Sequence, residues 1–257
     1  MKQRWNVVAL FVGFVLIAVL PTQQLWAETL VSYDVNTRVI LAFQAPEAAL
    51  GKWLPSGWQL SPVPSGPNKG ANLFMSFVER ILIVDPDGKP VSTGTDRYLV
   101  LVVPAVPPNS DTRVNVVIRV YYPAEGPGAY KNSRPVSITR EQSRHGSART
   151  PADGFEFWEV KDNTGGVVTV RLKYHGGVPV RSNSDLKFYS AVVPDFYRIY
   201  RSEQGMDFVR SVADGVDRVE GFEFSVTIPE LQEMLGDNKS PTSIAIAPWI
   251  FRQILLP

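Results

Sequence analysis

The chain has 257 residues, 44% of them hydrophobic and 20% charged, with no cysteine and a formal net charge of +1. That balance offers no electrostatic basis for binding nucleic acid or an anionic membrane surface, and the lack of cysteine excludes disulfides, thiolate metal sites and a lipid-modified N-terminal cysteine. Stability must therefore come from an apolar core.

Lys2 and Arg4 precede Val7 to Leu20, a run of 14 residues that are all apolar or glycine, and Pro21 to Ala27 ends in Leu25-Trp26-Ala27. This is the three-part layout of a secretory signal, with cleavage predicted after Ala27. A stable membrane span needs roughly 20 apolar residues, so the run is short for an anchor. The expectation is a periplasmic or secreted protein: residues 1–27 a signal peptide, residues 28–257 a single domain with no stable membrane span. Without Lys2 and Arg4 the remaining 24 basic and 25 acidic side chains leave a net charge of −1.

Beyond the leader, hydrophobicity alternates with the period of two expected of half-buried strands. In YDVNTRVILAF, Val35, Thr37, Val39, Leu41 and Phe43 share one face, while Asn36 and Arg38 begin the other. A helix is predicted at Pro46 to Leu54, with proline suited to the first position, Glu47 in the first turn and Pro55 as the stop. Further strands are predicted at Asn72 to Val84, Arg97 to Val103 and Arg113 to Tyr122. Tyr130 to Gly154 reads as a long, locally basic loop, either solvated or closing over an acidic or carbonyl ligand. Phe155 to His175 is a hairpin whose strands flank Asp162-Asn163-Thr164-Gly165-Gly166. Strands at Leu186 to Ala191, Val219 to Thr227 and Ser243 to Arg252 follow, with short helices at Gly205 to Val212 and Pro229 to Leu235. Consecutive strands with few helices predict a mainly β fold: an antiparallel, closed or strongly curved barrel-like sheet.

No motif names a reaction. His145 and His175 are the only histidines and stand in no ligand-spaced pair, so no metal site is expected. Nucleophile elbow, phosphate loop and dinucleotide fingerprint are all missing, and no cofactor is implied. Lysine is the remaining nucleophile. Lys69, Lys89, Lys161 and Lys239 sit in or beside turns and Lys52 falls off the apolar helix face; of the other three, Lys131, beside Tyr130 and near Arg134, and Lys187, in DLKFYSAVV, are the amines weighed, and Lys173 lies within the hairpin at Phe155 to His175.

The stretch TRVILAFQAPEAALGKWLPSGWQLSP, Thr37 to Pro62, resembles the start of the acetoacetate decarboxylase-like superfamily, in which a strand runs into a Pro-Glu-Ala-Leu helix and a Leu-Pro-x-Gly turn. Those elements are here Pro46, Glu47, Ala48, Leu50, Leu54, Pro55 and Gly57. The resemblance implies a closed β architecture around a small-molecule cavity, and for the enzymes a lysine Schiff base with a β-keto acid. Their Tyr-Pro-Lys-Lys type segment is nearest to Ala129-Tyr130-Lys131-Asn132, which assigns the imine to Lys131. Asn132 stands where a second lysine is expected, Phe43-Gln44 replaces the arginine before the Pro-Glu helix, and no acidic residue follows Tyr98.

The function expected on these grounds is binding of a small organic ligand, a keto acid among the candidates, in an internal cavity without the full decarboxylase apparatus. Trp53, Trp58, Phe74 and Tyr98 are expected as walls, and Arg38, Glu79 and Arg119 as polar contacts. The alternatives are a lyase decarboxylating a β-keto acid through Lys131, and a non-catalytic envelope module contacting another protein through surface tryptophans and the basic loop.

Overall fold

The computed structural model describes residues 28–257; the expected signal peptide lies outside the described residues. In chain order the elements are β1 (Thr29–Phe43), α1 (Glu47–Gly51), β2 (Gln59–Leu60), β3 (Leu73–Val84), β4 (Asp96–Val106), β5 (Val114–Tyr122), β6 (Ser133–His145), β7 (Asp153–Asp162), β8 (Val167–Tyr174), β9 (Val180–Ser190), β10 (Tyr197–Ser211), β11 (Val216–Asp217), β12 (Val219–Val226), α2 (Pro229–Leu235) and β13 (Ser243–Leu256).

Seven strands close on themselves in the order β4, β5, β9, β10, β13, β1, β3 and back to β4. All neighbours in this ring are antiparallel except β5 and β9, which pair in parallel over Asn115↔Phe188 to Val117↔Ser190. At its far end β5 also takes β6 in parallel, Val120↔Ser133 to Tyr122↔Pro135. From there β6, β7, β8 and β12 continue as an antiparallel four-stranded layer. Closure leaves the ring no long free edge, the usual solution to the exposed hydrogen-bonding groups of edge strands.

The four-stranded layer covers one side of the barrel, and the principal core lies between them. From the barrel come Leu41, Phe43, Met75, Phe77, Leu99 and Leu101; from the layer, Trp158, Val160, Val168, Val170 and Leu172. The rings of Phe77 and Trp158 meet at 5.7 Å, and those of Phe43 and Phe224 at 5.4 Å. Leu50 of α1 and Leu231, Met234 and Leu235 of α2 cap this core. The odd-numbered face of β1, predicted to be apolar, is the one packed here. Its even-numbered face, Asn36, Arg38 and Ile40, turns into the barrel.

The hairpin at Phe155 to His175 forms as predicted: Asp162 Oδ1 accepts from the amides of Thr164 and Gly166 at 2.9 and 2.8 Å, and Gly165 takes φ 90°, a conformation open to glycine. Three expectations need correction. The first helix is only Glu47–Gly51, because the chain leaves helical geometry as a turn before Pro55. The predicted helix at Gly205 to Val212 is instead strand as far as Ser211, the end of β10, which buries Asp207, Val209 and Ser211 on one face. Much of the basic segment at Tyr130 to Gly154 is the long strand β6, whose polar sequence hid it because most of its residues stay in solvent while Val136 packs and Arg140 is drawn inward.

The first and last strands of the chain pair with each other along most of their length, and a buried ion pair joins them inside the ring: Arg252 Nη2 lies 2.5 Å from Asp34 Oδ2. Burial pushes the Asp34 carboxyl up, but the charge and hydrogen bonds of Arg252, with Arg38 and Asn36, outweigh it and hold it below the usual carboxylate range. A carboxyl depressed in this way stabilises the fold fully above its unfolded pKa, and that contribution is lost as pH falls through the folded value. Replacing Asp34 by asparagine leaves Arg252 buried without a counter-charge and is expected to cost about 3–5 kcal/mol in chemical denaturation at neutral pH. The variant's stability should also fall less on acidification than that of the parent chain.

Candidate functional site

Within the closed ring lies a cavity of about 460 Å³, partly open to solvent. Its wall follows from the alternation of the strands: β1 contributes Arg38 and Ile40, β3 Phe74, Ser76 and Arg80, β4 Tyr98, Val100 and Val102, β10 Arg198 and Tyr200, β13 Arg252 and Ile254. Tyr130 and Phe188 complete an apolar side with Val102 and Val117. Among the described residues four arginines line the space, and no aspartate, glutamate, lysine or histidine does so.

Two of these arginines are balanced. Arg252 pairs with Asp34 as described, and Arg80 pairs with Asp96. Among the described residues Arg38 hydrogen-bonds to a neutral partner, donating from Nε to Asn36 Oδ1 at 2.8 Å. Arg198 has a buried Nε with no hydrogen-bond partner and, among the described residues, no carboxylate within ion-pair distance. Burial depresses the Arg38 guanidinium, and repulsion from Arg252 adds to it; Tyr98, Asp34 and Tyr200 act in the opposite direction. Tyr98 feels the mirror image of this. Burial alone would raise its phenol, yet Arg252, Arg38 and Arg80 together bring it below the ordinary tyrosine range. Its oxygen lies 3.3 Å from Arg252 Nη2, and the Arg80 guanidinium stands 5.3 Å from its ring centre. Tyr200 carries the Arg252 guanidinium over its ring at 4.4 Å and shares a 2.8 Å hydrogen bond between hydroxyls with Tyr130.

Such an interior favours an anion. A positive potential enclosed in a poorly solvated space is costly until a counter-charge enters, and guanidinium forks bind carboxylates with two parallel hydrogen bonds. Ser76, Asn115 and Gln204 on the same wall can direct further polar groups, while the valines, phenylalanines and Ile254 give an apolar body somewhere to pack.

Of the residues singled out in the sequence, Arg38, Tyr98 and Phe74 meet in this cavity. The others lie elsewhere. Glu79 is on the opposite face of β3, buried between the barrel and the outer layer, where Arg97 reaches it at 2.5 Å and Arg140 also pairs with it. Arg140 binds Glu156 at 2.8 Å and stacks on Trp158 at 4.8 Å, so this network ties the two layers together and leaves Glu79 no ligand to contact. Arg119 is likewise on the outer face of β5. It grips Glu230 of α2 at 3.0 and 2.8 Å and lies 5.1 Å over the Trp53 ring, while Tyr121 donates to the same carboxylate at 2.5 Å. Trp58 packs half-buried against the principal core, edge-on to Tyr189 at 5.5 Å.

Lys131 is exposed, holds a left-handed φ of 60° and is not part of the cavity wall; Lys187 is exposed over the Tyr197 ring. The residues on either side of Lys131 are the ones that turn inward. Tyr130 lines the cavity, and Asn132 is buried with its amide donating to the Val117 carbonyl at 2.7 Å. Arg80, Arg198, Arg252, Tyr130 and Tyr200 were missed. Strand alternation carried a usable signal for Arg252, which shares a face with Ile250 and Ile254 in the largely apolar β13, but little for Arg198 and Tyr200, because β10 has polar residues on both faces.

No protein-family model and no curated protein sequence matches the chain. Solved structures do. One is the enduracididine biosynthesis enzyme MppR complexed with pyruvate, at a TM-score of 0.55 and 12% identity over 96% of both chains. MppR complexed with the condensation product of pyruvate and imidazole 4-carboxaldehyde gives 0.54 and 12% over 88% of this chain and 87% of that one. An acetoacetate decarboxylase-like enzyme from Sphingomonas wittichii RW1 gives 0.57 and 11% over 95% and 98%. At these identities the likeness is one of architecture, and it agrees with the closed ring and its covering layer: the chain has the acetoacetate decarboxylase-like fold.

Proposed function

We propose that the protein binds a small organic acid inside the barrel, with the ligand carboxylate held by Arg38 and flanked by Arg252 and Tyr98. The observation that carries this reading is the composition of the cavity wall: among the described residues, four arginines, two of them without a carboxylate at ion-pair distance, and no acidic side chain. That MppR has been captured with pyruvate adds support at the level of fold. The signal-like N-terminus supports an exported protein that binds its ligand in the periplasm or outside the cell, which N-terminal sequencing of the native protein from a fractionated culture tests directly.

Imine chemistry is the second reading weighed, and it needs a lysine amine in the cavity. Among the described residues none lines it, and Lys131 is exposed. Binding without covalent capture is therefore the reading adopted. Borohydride reduction in the presence of a 2-oxo or 3-oxo acid should leave every lysine unmodified by mass spectrometry. A reduced adduct on Lys131 would replace this reading with the lyase one.

Two further outcomes are expected. Calorimetric titration with small carboxylic acids should detect binding that weakens as salt rises. Arg38→Gln should lower the affinity by about ten- to a hundredfold, the scale of one charge-assisted contact in a desolvated site. In an alkaline titration followed by phenolate absorbance, the phenol that ionises ahead of the ordinary tyrosine range should disappear in Tyr98→Phe. In the parent chain, saturating carboxylate should shift that phenol upward, because the bound anion neutralises the guanidiniums that favour the phenolate.

A further inference from the structure

The cavity has more uncompensated positive charge than one carboxylate can balance. With Arg252 matched by Asp34 and Arg80 by Asp96, Arg38 and Arg198 have, among the described residues, no carboxylate within ion-pair distance. A monoanion on Arg38 leaves the half-buried Arg198 without a carboxylate and its buried Nε still orphaned. Burying an unpaired charge, or a donor without an acceptor, is costly.

The two guanidiniums also spring from different levels of the wall. Ser202 of β10 faces Arg252 of β13, which faces Asp34 of β1. Because β1 and β10 both run antiparallel to β13, they run in the same direction. Arg38 lies four positions beyond Asp34 along β1, while Arg198 lies four positions before Ser202 along β10. They thus leave the barrel wall on opposite sides of the Asp34–Arg252 pair. Between them runs a polar track of Arg252, Tyr200 and Tyr130, with Arg252 over the Tyr200 ring at 4.4 Å and the two hydroxyls 2.8 Å apart. Alongside that track the wall is apolar, built from Phe74, Val100, Val102, Val117 and Phe188.

From this arrangement we infer that the ligand is a dianion with an acidic group at each end, a dicarboxylic acid whose apolar middle lies against Val102, Val117 and Phe188, one carboxylate on Arg38 and the other on Arg198. The inference rests on the carboxylate reading of the cavity and deepens it. Two acidic groups at separate ends fit two guanidiniums rooted at separate levels, whereas a single compact dianion such as a phosphate ester would satisfy one and strand the other. The volume of about 460 Å³ exceeds what a three-carbon acid fills and lies in the range of sites that enclose larger ligands.

The experiment is a calorimetric titration of the full chain with the linear dicarboxylic acids from succinic to sebacic, each beside the monocarboxylic acid of equal chain length, and with phenyl phosphate as a compact dianion. The same titrations are run on Arg198→Gln and Arg38→Gln after thermal melts show both folded. One chain length of diacid should bind at least about tenfold tighter than its monoacid. Arg198→Gln should abolish that preference by weakening the diacid at least about tenfold more than the monoacid, and Arg38→Gln should weaken both. Diacids no better than monoacids, phenyl phosphate equal to the best diacid, or a diacid preference that survives Arg198→Gln would each overturn the two-ended ligand and leave the carboxylate site standing. Failure of every acid to bind would instead remove the carboxylate reading, and this inference with it.

Discussion

Closure of the barrel depends on one strand having three partners. β5 pairs antiparallel with β4, and it pairs in parallel with β9 at its start and with β6 at its end. The contact with β9 joins the strands early in the chain to those late in it. The contact with β6 launches the outer layer. Parallel pairing of this kind cannot be made by a tight turn and needs a long connection, and here the outer layer itself, β6 to β8, is part of the connection between β5 and β9. Cavity and covering layer are thus products of the same arrangement.

A strand in this ring has no solvent-facing side where the outer layer covers it. Along β1, β3 and β4 one face packs on the core with Trp158 and the other looks into the cavity, so both faces become selective about what they hold. Charged groups are found on each, under different rules. Between the layers, Glu79, Arg140 and Glu156 neutralise one another, and Arg119 and Glu230 fasten α2 to β5. Inside the ring the carboxylates Asp34 and Asp96 answer only two of four guanidiniums. The first kind of network is complete in the protein alone. The second is not complete among the described residues, and the proposed binding site rests on that difference from a structural ion-pair network.

The position that the sequence resemblance assigns to an imine-forming lysine shows how closely local geometry governs chemistry. Tyr130 and Asn132 are both anchored inward, by the Tyr200 hydroxyl and by the Val117 carbonyl. Lys131, between them, takes the left-handed conformation and is exposed. What this segment gives the cavity is a tyrosine in place of an amine. The site is consequently rich in guanidinium and phenol, groups that hold and orient an anion, and among the described residues it has no amine to attack a carbonyl.

Local pattern in the sequence determined the β class, the positions of most strands, the hairpin around Asp162 to Gly166, and α2. These follow from period-two hydrophobicity, turn residues and proline placement, each of which acts over a few residues. It also brought Arg38, Phe74 and Tyr98 into view, because a polar or aromatic side chain on an otherwise apolar strand face is visible in one dimension. It could not say which face of a strand would look into a cavity and which into the core, so Glu79 and Arg119 were assigned to the wrong side. The polar strand β6 escaped notice because a strand left mostly in solvent has no hydrophobic period to read. Only the tertiary structure decided that Arg38, Arg80, Arg198 and Arg252 share one enclosed space, and that just two of them find a carboxylate. Those four residues come from β1, β3, β10 and β13, and their meeting depends on barrel closure and register, which are properties of strand pairing across the whole chain.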